Sequence, residues 1–258
     1  MRIAFMADLH ANREALEACL ADAQAQGADR LVFLGDYVNY GADPEWVVQA
    51  LMEHVERGGI ALRGNHDAAV GEWGGSMTSP AEVALEWTRN QLGPSHRAFL
   101  AGLPLTHEEN GFLCVHADAS APSKWSYVTD TEDAARSFRA TTERLTLCGH
   151  VHKPALYNVA EGFGAIGASG GARAAKTTGF RPVAGIPVPL LPRRRWLAIV
   201  GSVGQPRDGN PAAAYALYDT ARAEITTFRV AYDIEGAAEK IRAAGLPAML
   251  ADRLTWGL

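Results

Sequence analysis

The chain has 258 residues, 48% hydrophobic and 21% charged, which is the balance of a globular protein and not of a disordered one. Its formal net charge of −5 argues against a general electrostatic affinity for nucleic acid or anionic membrane. Three scattered cysteines (Cys19, Cys114 and Cys148), no apolar run long enough to span a bilayer, and a start at Met1 without signal-peptide architecture together predict a cytoplasmic protein without a disulfide scaffold.

Residues 3–8 are an apolar run without period-2 alternation, which predicts a strand buried on both faces. Residues 12–25 follow with Ala15, Leu16, Cys19, Leu20 and Ala23 on one helical stripe. Residues 31–36 repeat the buried strand. Asp43-Pro44 marks a helix start, with Asp as N-cap and Pro in the first turn, and Gly58-Gly59 ends that helix. Residues 60–65 are the third expected strand, and the βαβαβ order predicts a parallel sheet with right-handed crossovers.

Beyond a Gly-rich loop at 71–79, helices are expected from Ser79-Pro80 and over 94–101. Strands are expected over 111–117 and 145–149, with a helix near 131–140 between them. After residue 154 the pattern changes to strands at 154–159, 196–200, 214–219 and 225–230, joined by turns. Residues 161–195 are rich in Gly and Pro and read as an insertion or long hairpin, with Arg193-Arg194-Arg195 as a solvated turn. Helices close the chain over 233–258. The simplest account is one α/β domain over 1–258, a two-sheet β-sandwich flanked by helices.

The expected strand ends carry the chemistry: Asp8-Leu9-His10, Gly35-Asp36, Gly64-Asn65-His66-Asp67, Val115-His116 and Gly149-His150-Val151-His152. Carboxyl ends of parallel strands share one edge, where sites form. Asp8 and His10 are two apart, as are His150 and His152, so an extended backbone would point each pair to one side. Seven donors then converge: Asp8, His10, Asp36, Asn65, His116, His150 and His152. Mixed carboxylate and imidazole donors suit Mn, Fe, Co or Zn. Seven are too many for one ion, whereas two ions about 3.5–4 Å apart, bridged by one carboxylate, make a phosphoester-cleaving arrangement. Asp36 is the central candidate for the bridge. Such a pair binds phosphate oxygens and directs a bridging hydroxide in line at phosphorus.

In order, spacing and strand context, these blocks resemble the signature of the calcineurin-like metallophosphoesterases. Gly201-Ser202-Val203-Gly204-Gln205-Pro206-Arg207-Asp208-Gly209 is similar to a stretch of the small bacterial, phosphodiesterase-like members. The resemblance implies two divalent metal ions, Mn, Fe or Zn. One would be held by Asp8, His10, Asp36 and His152, and the other by Asp36, Asn65, His116 and His150. His66 would be general acid or charge stabiliser, and Asp67 would orient it. Arg207 and Asn39 are the expected substrate contacts.

The protein Ser/Thr phosphatases of that superfamily continue the second block with Asp-Arg-Gly, but here the sequence is Asp36-Tyr37-Val38-Asn39-Tyr40-Gly41. The expected function is therefore a phosphodiesterase or nucleotide-directed phosphoesterase acting on a small substrate. Phosphoprotein or dinucleoside polyphosphate hydrolysis is the alternative, and a non-catalytic scaffold of the same fold is a more distant one. His54, His96 and His107 match no motif and read as solvated; the three cysteines read as core.

Overall fold

The computed structural model describes residues 1–71, 78–161 and 176–258. Strand β1 (Arg2–Met6) sends Ile3 and Phe5 to one side and Ala4 and Met6 to the other, and all four are fully buried. Two covered faces explain a run with no polar alternation. Helix α1 (Arg13–Ala25) starts at Asn12, whose side chain accepts from the Ala15 N–H, and buries the Ala15, Leu16, Cys19 and Ala23 stripe. Strand β2 (Arg30–Phe33) lies parallel to β1. After α2 (Pro44–Glu56) comes β3 (Ile60–Ala61), parallel to β2.

The third strand is shorter than expected. It pairs through Ile60 and Ala61 alone, and Asn65 opens helix α3 (Asn65–Gly71) where the sequence suggested a strand end. His66 and Asp67 therefore ride on the first turn of a helix.

Helices α4 (Ser79–Gln91) and α5 (Pro94–Gly102) lead to β4 (Thr106–Glu109) and β5 (Phe112–Val115). β4 was not expected. The turn is Asn110-Gly111, both at positive φ (47° and 84°), as a two-residue hairpin turn demands. Then follow α6 (Thr131–Arg139), β6 (Leu145–Cys148), β7 (Ala155–Ala160), β8 (Thr178–Phe180), β9 (Val188–Pro189) and β10 (Arg194–Ile199). β11 (Ala213–Asp219), β12 (Glu224–Val230), α7 (Ile234–Ala243) and α8 (Ala248–Trp256) complete the chain, with two closing helices as expected.

The strands form two six-stranded sheets, in orders β3-β2-β1-β11-β12-β9 and β4-β5-β6-β10-β7-β8. Ile3, Phe5, Val32 and Leu34 of the first face Phe112, Cys114, Leu147 and Ala198 of the second across an apolar core. α1 and α2 cover the outer face of the first sheet, and α6 packs on the outer face of the second. This is the helix-flanked sandwich expected from the sequence. Each large side chain buried in it contributes about 1.5–3 kcal/mol.

Of the segment expected to be an insertion, residues 162–175 lie outside the described residues, as do residues 72–77 of the Gly-rich loop. The remainder of that insertion is built into the sheets. β8 pairs with β7 at the edge of one sheet, and β9 pairs with β12 at the edge of the other. Of the three-arginine run, Arg193 is exposed in a turn as expected, but Arg194 and Arg195 lie in β10, and Arg195 is buried, donating to the carbonyls of Phe138 and Glu143. His96 is buried as well, with Nε2 3.4 Å from Gln49 Oε1. All three cysteines are buried and free. No helix among the described residues is long and apolar enough to cross a membrane.

Candidate metal centre

The carboxyl ends of β1, β2 and β3 meet those of β5 and β6 at one edge of the sandwich. Cross-loop backbone bonds knit that edge: Asp8 N–H to Gly35 O (2.9 Å), His10 N–H to Asp36 O (3.0 Å), Gly149 N–H to His116 O (3.0 Å) and Gly204 N–H to Asp8 O (2.9 Å). The side chains are not presented by extended backbone, as the two-residue spacing suggested. Asp8, His10, Asp36, His150 and His152 all have positive φ, between 47° and 66°. Left-handed residues of these types cost on the order of 1–2 kcal/mol each and persist because the surrounding loops over-determine them. Glycine is required beside them. At Gly35 (φ 107°) an added Cβ would lie 2.6 Å from His116 Nδ1, and at Gly149 it would lie 2.7 Å from Asp8 Oδ2.

Six of the seven expected ligands form two buried groups, Asp8–His10–His152 and Asp36–His116–His150, with ligand atoms in each group within 4.8 Å of one another. The ring orientations fix what each histidine offers. His10 Nδ1 donates to Val38 O (3.0 Å), His116 Nδ1 to Leu34 O (2.8 Å) and His152 Nδ1 to Gln205 O (2.6 Å). With Nδ1 protonated, a neutral ring turns an unprotonated Nε2 inward. His10 Nε2 and His152 Nε2 then face each other at 3.2 Å, lone pair to lone pair. His116 Nε2 faces His150 Nδ1 at 3.1 Å, and a backbone hydrogen bond to Trp125 holds the His150 ring. Between the groups lies Asp36 Oδ2, buried and without a hydrogen-bond partner, 3.2 Å from His116 Nε2. Opposed lone pairs and an orphaned carboxylate oxygen are what a cation-binding donor set looks like, so these residues fit divalent metal. The seventh expected ligand, Asn65, places Oδ1 3.2 Å from His116 Nε2.

Burial and charge set the titration of the ligands. Burial, helped by Asp36, pushes Asp8 up to about 8. Burial also acts to raise Asp36, but His116, His66 and His10 outweigh it and hold Asp36 well below the usual carboxylate range. Burial opposes protonation of His116, yet the Asp36 charge lifts it to about 9. Burial lowers His10, His152 and His66, and takes His150 down to about 3 with the help of His116.

Two expected roles change. Asp67 does not orient His66. Its Oδ2 accepts from the N–H groups of Asp36 and Gly64 (both 2.8 Å) and its Oδ1 from Tyr37 N–H (2.9 Å), tying the second block to the third. Burial and Asp36 push its carboxyl up to about 7 against those donors. Asn39, expected at the substrate, is fully buried behind His66, with Nδ2 2.8 Å from His66 Nδ1. Tyr40, which carried no expectation, lies 3.2 Å from His66 Nε2 through its hydroxyl and packs against His10 with the ring planes tilted by 46°. Arg207 is at the site: it hydrogen-bonds Tyr40 and Gln205 Oε1, and its charge acts on Asp8, His10, His66 and His152. The only sequence signal for Tyr40 was its place in the second block, where the phosphatase pattern has its arginine.

The Asp67 geometry gives a sharp expectation. In Asp67→Asn the new amide must aim N–H₂ at a backbone N–H whichever way it is turned. One or two unsatisfied buried donors at about 1–3 kcal/mol each should lower the melting temperature of the metal-free protein by about 5–10 °C. Thermal denaturation checks this; an unchanged midpoint would show that the three bonds carry little.

The model of a family described as calcineurin-like phosphoesterase matches residues 1–154. An uncharacterized protein of Methanocaldococcus jannaschii is 32% identical over 99% of this chain and 98% of its own length. Among solved structures, a metallophosphoesterase from Sphaerobacter thermophilus is similar at TM-score 0.84 and 33% identity, covering 100% of this chain and 99% of that one. A hypothetical protein from Pyrococcus horikoshii shares the fold at TM-score 0.78 with 17% identity, covering 100% and 98% of the two chains.

Proposed function

This chain belongs to the calcineurin-like phosphoesterase family, and from that premise we propose that it is a metal-dependent phosphoester hydrolase with a dinuclear centre and a preference for small diesters. The observation that carries the reading is the pair of opposed histidine couples with the orphaned Asp36 oxygen between them. Asp8, His10, Asp36 and His152 would hold one ion, and Asp36, Asn65, His116 and His150 the other; the donor set suits Mn, Fe or Zn. Two such ions supply charge neutralisation on the phosphoryl oxygens and acidify water for attack.

The chain's own residues do the rest. His66, with Nε2 3.9 Å from Asp36 Oδ2, donates a hydrogen bond from that nitrogen to the departing oxygen and stabilises the charge that develops there. Tyr40 and Asn39 hold the ring from its two nitrogens. Arg207 binds a non-bridging phosphate oxygen. Diesters are favoured because the position of the phosphatase arginine is the neutral Tyr40. A single arginine suits the one negative charge of a diester better than the two of a monoester. A complete donor set together with His66 disfavours the scaffold reading.

Hydrolysis of bis-p-nitrophenyl phosphate and p-nitrophenyl phosphate by Mn²⁺-loaded protein tests this. The expected result is metal-dependent turnover, at least tenfold faster for the diester. No turnover of either with metal bound would overturn the proposal; faster monoester turnover would return the phosphoprotein alternative.

A further inference from the structure

Next to the metal centre a cleft of about 760 Å³ opens, within the roughly 300–1,000 Å³ range of small-molecule sites. It is lined by Tyr127 and Tyr157 and by three cations, Lys153, Arg181 and Arg207, against one carboxylate, Asp130. Asp130 is already committed: its Oδ1 caps α6, accepting from the N–H groups of Glu132 and Asp133 (both 2.9 Å). Among the described residues, neither Lys153 nor Arg181 forms an ion pair. The cleft is therefore cationic, in a protein whose net charge is negative.

Two residues join it to the centre. The Tyr127 ring stacks on the candidate ligand His150, with centroids 4.2 Å apart and planes 20° apart, yet Tyr127 remains 51% exposed. One face of the ring is thus used and its other face is open. Arg207 lines the cleft while its charge reaches the candidate ligands, and its Nε is buried without a hydrogen-bond partner. At the far end, Arg181 follows β8, where Gly179 sits opposite Tyr157, and its charge is felt at the Tyr157 hydroxyl. The Tyr157 ring occupies the space a side chain at position 179 would fill.

We propose that this cleft takes the nucleotide part of the substrate, with the base on the open face of Tyr127 and a further phosphate between Lys153 and Arg181, beside the scissile phosphate on Arg207. This rests on the phosphoesterase reading of the centre. An exposed ring face accepts any base, because every base has a π-face. Arginine forks match phosphate oxygens two at a time. A polyphosphate without a base would use only the cations, and a sugar phosphate would leave the ring uncovered.

Equilibrium dialysis with the Mn²⁺-loaded protein separates these cases. The probes are α,β-methylene adenosine diphosphate, which resists cleavage between its phosphates, methylenediphosphonate and adenosine. The nucleotide is expected to bind about tenfold tighter than methylenediphosphonate, and adenosine weakest. Tyr127→Leu should erase the nucleotide's advantage and Tyr127→Phe should keep it. Arg181→Gln should weaken nucleotide and diphosphonate alike by threefold to tenfold, with an unchanged melting temperature. A nucleotide that binds no tighter than the diphosphonate, or binding indifferent to Tyr127→Leu and Arg181→Gln, overturns the proposal. If the binding results hold and no phosphoester is turned over, the catalytic reading fails and the cleft stands. If esters are turned over and binding ignores every variant, the reverse is true.

Discussion

Asp36→Asn is expected to cut diester turnover at least a thousandfold and to reduce the metal retained after desalting, while the fold survives. Asp36 is the one carboxylate that reaches both candidate ion positions. Its Oδ1 accepts the His66 N–H at 2.9 Å, and its Oδ2 is the orphan 3.2 Å from His116. An asparagine can satisfy the first contact only by turning N–H₂ toward the space meant for cations. Turned the other way, it opposes the His66 N–H and leaves a neutral oxygen where a bridging charge is needed. Metal bound only to the native state stabilises by RT ln(1 + [L]/Kd), about 2.7 kcal/mol at a hundredfold excess over Kd. Added Mn²⁺ should therefore raise the melting temperature of the wild type, and the variant should lose most of that rise. Elemental analysis gives the second readout. Full metal content with lost turnover would remove Asp36 from the ligand set.

Much of the fold was legible because the buried strands announce themselves. Residues 3–8 and 31–36 carry no polar alternation because helices cover one face and a second sheet the other. The edges were less legible. Thr106–Glu109 is a polar run at the rim of a sheet, where no core pressure imposes an apolar pattern; only Asn110-Gly111 betrayed the hairpin. β8 and β9 are short and exposed at opposite sheet edges, and nothing local distinguishes them from loop. The third strand was overextended because Leu62 continues its apolar run, while the Asp67 carboxylate, gathering three N–H groups, pulls the chain into a helix.

At the site, residue types and their order pointed to the ligand set, but not to how the backbone delivers it. Alternation along an extended strand was a reasonable account of Asp8 and His10, and the positive φ values show it to be the wrong one. Left-handed geometry at Asp and His leaves no mark in sequence, since both residues tolerate it. The partner of His66 was hidden for a similar reason. Adjacent residues on a helix point about 100° apart, so Asp67 is poorly placed to touch the ring beside it, and Asn39, 27 positions upstream, does so instead.

That partner determines what His66 can do. Asn39 Oδ1 accepts the Tyr40 N–H at 2.8 Å, which fixes the amide so that Nδ2 donates to His66 Nδ1 at 2.8 Å. A neutral His66 ring must then carry its proton on Nε2, the nitrogen 3.2 Å from the Tyr40 hydroxyl and turned to the centre. His66→Ala is expected to lower kcat by about 10²–10⁴-fold with both metals retained, and added imidazole should recover part of the loss. Asn39→Leu removes the donor, frees the ring to take the other tautomer, and should cost about tenfold in kcat with little change in KM. Metal content is the deciding measurement, because His66 also lies within ligand distance of His10 and Asp36. Loss of an ion in His66→Ala would make it a ligand, whereas full turnover in that variant would leave it with no part in the reaction. Retained metal with lost turnover is the result that a hydrogen-bond donor at Nε2, stabilising the departing oxygen, requires.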